Sequence, residues 1–98
     1  MASVAAFAAN TGESVGIDDV YRAEGFNFSG MRSFDQAFGY HTQSILTVPM
    51  MDHEGELVGV LQLVNAKDPD TGAIRAFSGT DQRFIEALAA QAAVAITN

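Results

Sequence analysis

The chain has 98 residues, 48% of them apolar, with twelve acidic against five basic side chains and a formal net charge of −7. That length fits one small domain, and the apolar share excludes an intrinsically disordered chain. So acidic a surface repels phosphate backbones and argues against nucleic-acid binding, no run approaches the roughly 18 apolar residues of a membrane span, and the absence of cysteine excludes disulfides, thiolate zinc and a cysteine nucleophile.

The start, Met1-Ala2-Ser3-Val4, carries no basic segment of a secretory signal, and the cytoplasm is the expected compartment. Ser3 can cap a short helix over Val4 to Asn10, where alanines favour the helix and Gly12 supplies a left-handed stop. Such a short helix needs a sheet to pack on. Glu13 to Ile17 reads as a short edge strand ending at Asp18-Asp19. Val20 to Tyr40 holds six of the nine aromatic residues (Tyr21, Phe26, Phe28, Phe34, Phe38, Tyr40) among glycines and polar residues. It reads as a long structured loop with one or two helical turns around Arg32 to Ala37, serving either as a lid or as a segment anchored to the core by its aromatics.

Ser44 to Met51 and Leu57 to Asn65 are apolar runs rich in β-branched residues, joined by Asp52-His53-Glu54-Gly55-Glu56. This is the sequence form of a β-hairpin. Neither run alternates cleanly, so both strands are expected to be covered on both faces. In the second strand Val58, Val60, Gln62 and Val64 share one face, because side chains alternate with a period of two. Gln62 is then a buried amide needing a partner, from the protein or from a bound molecule.

Lys67 to Gly72 is a turn region. Ser78 with Asp81 resembles a capping box, and Thr80 to Thr97 is a helix in which Ile85, Leu88, Ala89, Ala92 and Ile96 repeat on one face. Its many alanines let a second helix approach closely. Helix, strand, long loop, hairpin and helix together give an α+β domain with an antiparallel sheet and flanking helices. The chemistry is sparse. His41 and His53 lie on different elements without metal-ligand spacing, the glycines match no phosphate-binding fingerprint, and neighbouring His41, Thr42 and Ser44 do not by themselves make a nucleophile–base pair.

Several linked segments are similar to GAF domains: Thr11-Gly12-Glu13, Ile17-Asp18-Asp19-Val20-Tyr21, Phe26-Asn27, Phe34-Asp35, Gly39 to Met50, Gly55, Gly59 to Asn65 and Gln91 to Ile96. They cover nearly the whole chain and most resemble modules fused to bacterial cyclic-nucleotide phosphodiesterases, HD-type phosphohydrolases, adenylate cyclases and histidine kinases. The resemblance implies a PAS/GAF-like, profilin-like fold, with this chain a single partial domain over residues 1–98. Members run about 150 residues, a common domain size, and the family's first helix and about three strands have no counterpart here. An uncovered hairpin would then favour self-association.

By the same resemblance the chain is a non-catalytic sensory module that binds a small ligand such as a cyclic nucleotide and regulates an attached output domain, with no cofactor. Ligand contacts are implied at the helix start (Val4, Ala5), in the lid (Phe34 or Asp35), at Thr42 and at Gln62. The family signature maps onto Asn65, Lys67, Phe77 and Asp81, with Ala66 inserted after Asn65 and Gln82 in place of a glutamate; a Lys67–Asp81 ion pair would tie the 66–76 loop to the last helix. The alternative function is a homodimerisation module built on the alanine-rich helix. Family enzymes that reduce methionine sulfoxide, and members that attach bilins, use cysteines, which this chain lacks.

Overall fold

The computed structural model describes residues 2–97. Helix α1 (Val4–Thr11) starts where the Ser3 hydroxyl accepts from the Ala6 amide and stops at Gly12, whose φ of 72° lets its amide donate to Ala8 O. Strand β1 (Val15–Ile17) follows, then helix α2 (Ser29–Phe38), strands β2 (Ile45–Met51) and β3 (Leu57–Val64), the two-residue strands β4 (Ala66–Lys67) and β5 (Ile74–Arg75), and helix α3 (Gly79–Thr97). The main sheet has the order β1-β2-β3, all antiparallel, with Ile45 opposite Val64 and Thr47 opposite Gln62. An α+β fold with an antiparallel sheet and flanking helices is thus what the chain adopts.

The two faces of β2 organise two cores. Ile45 packs with Val4, Val20 and Phe28 beneath α1 and the loop before α2. Leu46 and Val48 pack with Ala89, flanked by Leu61, Phe77 and Ile85, beneath α3. Helix α1 lies across β2 and β3, and α3 crosses the opposite face of the same strands. No helix among the described residues is long and apolar enough to cross a membrane.

Three expectations need correction. Strand β2 is central and buried as expected, but β3 is a sheet edge; Gln62 is exposed, and Leu57 and Val64 are each 43% exposed. Burial on both faces needs neighbours on both sides, and β3 has one. The expected one or two turns around Arg32 are a ten-residue helix, α2. The Lys67 to Gly72 turn is present as expected, and a small β4–β5 ladder pairing Ala66 with Arg75 closes it. In α3 the buried positions are Ala89 and Ala93 with Ile85 partly covered, whereas Leu88 and Ile96 are 44% and 63% exposed. Leu88 sits at the margin of the inward face, and nothing covers the last turn, which carries Ile96.

The aromatics of the 20–40 segment divide in the same way. Phe28 is buried, and Phe26 bridges it to Phe7 of α1 through ring contacts of 6.2 and 5.3 Å. Phe34 and Phe38 meet at a tilt, their ring centroids 4.8 Å apart, and stay exposed.

Candidate functional site

A cavity of about 160 Å³ opens between the start of α1 (Ser3, Val4, Ala5), the segment leading into α2 (Asn27, Phe28, Gly30, Met31) and Gln62 of β3. It therefore unites three of the residues expected at a ligand site, Val4, Ala5 and Gln62, from two elements far apart in sequence. The first amides of a helix have no intrahelical acceptor and point outward along a positive dipole end. No acidic residue stands in the first turn of α1 to neutralise it. The mouth of the cavity suits an anion, Phe28 and Met31 give it an apolar wall, and the exposed Gln62 amide can both donate and accept. Asn27 is fixed there, its amide donating to Ala2 O at 2.9 Å and its Oδ1 accepting from the Ser29 amide at 3.0 Å.

Three other expected contacts lie elsewhere. Phe34 is 52% exposed on α2. Asp35 and Thr42 face each other instead of the cavity: the Thr42 hydroxyl and amide donate to the Asp35 carboxylate at 2.7 and 2.8 Å, and the Tyr21 hydroxyl donates to it at 2.6 Å. Burial pushes the Asp35 carboxyl up, but these donors outweigh it and hold the group below the ordinary carboxylate range. The same contact raises the Tyr21 phenol. Asp35 is the one buried residue of α2, and Met31 of the same helix packs against the core around Val4, Phe28 and Ile45. The Asp35–Thr42 contact adds to the Met31 packing in holding α2 to the segment that leads into β2.

The signature residues also separate by role. Asn65 is buried with φ 58°. Its Oδ1 accepts from the Gln43 and Ser44 amides at 2.7 and 3.2 Å, while its Nδ2 donates to Tyr40 Oη at 2.7 Å and His41 O at 3.0 Å. It pins the end of the 20–44 segment to the end of β3. Phe77 packs in the core under α3.

The expected Lys67–Asp81 pair does not form. Arg75 takes the place of Lys67, its Nη1 donating to Asp81 Oδ2 at 2.7 Å, because the β4–β5 pairing brings Arg75 to the start of α3. Asp81 also accepts from the Ser78 amide at 2.8 Å, and the Ser78 hydroxyl accepts from the Asp81 amide, so the capping box is closed. Arg75 first, then the Ser78 amide, lowers the Asp81 carboxyl to about 2. A carboxyl depressed by folding stabilises the fold above its unfolded value near 3.9, and that contribution disappears as pH falls through about 2. The melting temperature should therefore fall between about pH 4 and pH 2, and Asp81→Asn should flatten that part of the profile. A variant profile superimposable on the parent's would remove the ion pair from the account.

One further residue belongs to this face and was not picked out from sequence. Thr47 is fully buried, and among the described residues its Oγ1 is the one buried side-chain polar atom without a hydrogen-bond partner, an arrangement that costs about 1–3 kcal/mol. Strand parity was the available signal, since it sets Thr47 on the face of Gln62 once the hairpin register is known. Among the described residues no cluster of His, Cys, Asp or Glu has the arrangement of a metal site.

Comparison with known proteins gives the family. The chain is 31% identical over 96 residues to the dual 3′,5′-cyclic-AMP and -GMP phosphodiesterase 11A of Takifugu rubripes, covering 98% of this chain and 10% of that protein. It is 37% identical over 62 residues to the dual 3′,5′-cyclic-AMP and -GMP phosphodiesterase 11 of Drosophila melanogaster, covering 63% of this chain and 4% of that protein. The chain thus spans a tenth or less of the length of these relatives. A solved structure described as the structure of the GAF domain superposes with a TM-score of 0.61 at 24% identity, covering 91% of this chain and 42% of that one, and shows the shared fold. The family model for the GAF domain matches residues 2–96, nearly the whole chain. The chain belongs to the GAF domain family.

Proposed function

We propose that this chain is the regulatory part of a larger cytoplasmic signalling protein, binding a cyclic nucleotide and biasing an attached output domain without catalysing a reaction itself. The observation that carries the reading is the convergence of the α1 N-terminus and Gln62 on one cavity. An anionic phosphate fits the first, and the edge of a base fits the second. Asp35 and Thr42 act one step away, fixing α2 so that Gly30 and Met31 stay at the cavity wall. The similarity to cyclic-nucleotide phosphodiesterases supports the choice of ligand class; the resemblance points to bacterial parents, while the relatives compared above are animal proteins.

Calorimetric titration with cyclic GMP and cyclic AMP tests this. Saturable binding of at least one is expected, weakened about tenfold by Gln62→Ala, the loss of roughly one hydrogen bond. Absence of heat with both nucleotides, from a chain shown to be folded, would sink the reading.

A second reading, homodimerisation, has its own support. Phe84, Leu88 and Val94 of α3 are 64%, 44% and 44% exposed. Sedimentation across a concentration series decides it, a strictly monomeric chain counting against a dimer.

A further inference from the structure

The cavity holds about 160 Å³, whereas sites that enclose a ligand of drug or nucleotide size run about 300–1,000 Å³. A nucleotide therefore enters only as the cavity deepens. Its floor at Gln62 is the outer strand of the sheet, so inward growth along the floor runs from β3 towards β2. The next side chain in that direction is Thr47, the register partner of Gln62. Partners directly opposite share a face and place their Cβ atoms roughly 4.5–5.5 Å apart.

Thr47 is an odd residue for a purely structural position. It is fully buried and its hydroxyl has no partner among the described residues, so a valine of nearly the same shape would pack there without leaving a polar atom unsatisfied. Helix α1, whose first turn lines the cavity, lies across this face of β2 and β3.

We infer that Thr47 is a second binding residue of this site, engaged when the ligand opens the cavity, and that it and Gln62 together read one polar edge of a planar, fused heterocycle. The hydroxyl both donates and accepts, as does the amide, so neighbouring strands offer two adjustable polar groups side by side to a ring edge carrying carbonyl or amino groups. The inference rests on the reading of the cavity as a nucleotide site.

Its test compares the parent chain with Thr47→Val, Thr47→Ser and Gln62→Ala, using cyclic GMP and cyclic AMP as probes and thermal melts of the ligand-free proteins. Thr47→Val is expected to melt higher, by roughly 4–8 °C for a domain of this size, and to bind about tenfold more weakly. Thr47→Ser keeps the hydroxyl and should bind within about threefold of the parent, less than half the free-energy change of a tenfold loss. If Thr47→Val binds like the parent while Gln62→Ala does not, the inference fails and the site reading stands. If the parent binds neither nucleotide, both fail. A lower melting temperature for Thr47→Val would show that the hydroxyl has a structural partner, and would also overturn the inference.

Discussion

Replacing Asp35 with alanine should lower the unfolding free energy by about 3–5 kcal/mol, a large part of what a domain this small possesses. The carboxylate accepts three hydrogen bonds, and those made to a charged group contribute about 1.5–3 kcal/mol each. Two of the donors, the amide and hydroxyl of the buried Thr42, would be left without a partner, while the half-exposed Tyr21 hydroxyl could turn to water. Tyr21→Phe removes only that third bond and should cost about 1 kcal/mol. Urea denaturation measures both, and hydrogen exchange localises the effect: α2 amides should lose protection first, because Asp35 is the one buried residue of that helix. Because hydrogen bonding keeps the Asp35 carboxyl below its unfolded value, the difference between parent and variant should be full at neutral pH and shrink as acid protonates the parent. A loss below about 1 kcal/mol would mean that α2 is held by something other than this contact.

Asn65→Ala should be comparably severe, about 3–5 kcal/mol, for two separable reasons. Four hydrogen bonds to residues 40–44 disappear, and alanine must occupy a left-handed backbone conformation that asparagine tolerates better. Asn65→Gly relieves only the second. Glycine should therefore recover about 1 kcal/mol relative to alanine and remain well short of the parent. Equal stabilities for the two variants would show that backbone strain has no part. Recovery to the parent's stability would show that the side-chain bonds have none.

What the sequence makes legible follows from where the determinants lie. Local signals sit within a few residues of what they control. Ser3 and Gly12 bound α1, the acidic glycine-bearing turn joins β2 to β3, and Ser78 with Asp81 opens α3. The exposure of Gln62 is a property of sheet order, and strand parity cannot tell an edge from a centre. Helix α2 has no side-chain cap at its start, and two glycine or serine residues open it, so its full length leaves little trace in propensity. The two-residue β4–β5 ladder is too short to carry a period, yet it decides that Arg75 and not Lys67 meets Asp81. At the candidate site, strand periodicity singles out Gln62 and the resemblance to the family adds Val4 and Ala5, while Phe28, Met31 and Thr47 depend on which elements cover which face of the sheet. The mutual contact of Asp35 and Thr42 joins a helix to the start of a strand. Nothing in either residue's neighbourhood announces its partner.

The two polar contacts that hold residues 20–44 in place, one within the segment and one from Asn65 after β3, have an optical consequence. The chain contains no tryptophan and only two tyrosines, and each contact claims one of them: Tyr21 donates to Asp35 and Tyr40 accepts from Asn65. Tyr21 also lies flat against His41 at 4.6 Å. All of the intrinsic ultraviolet emission at tyrosine wavelengths therefore originates at these two joints. Unlabelled protein can report, by emission intensity alone, whether those joints are closed.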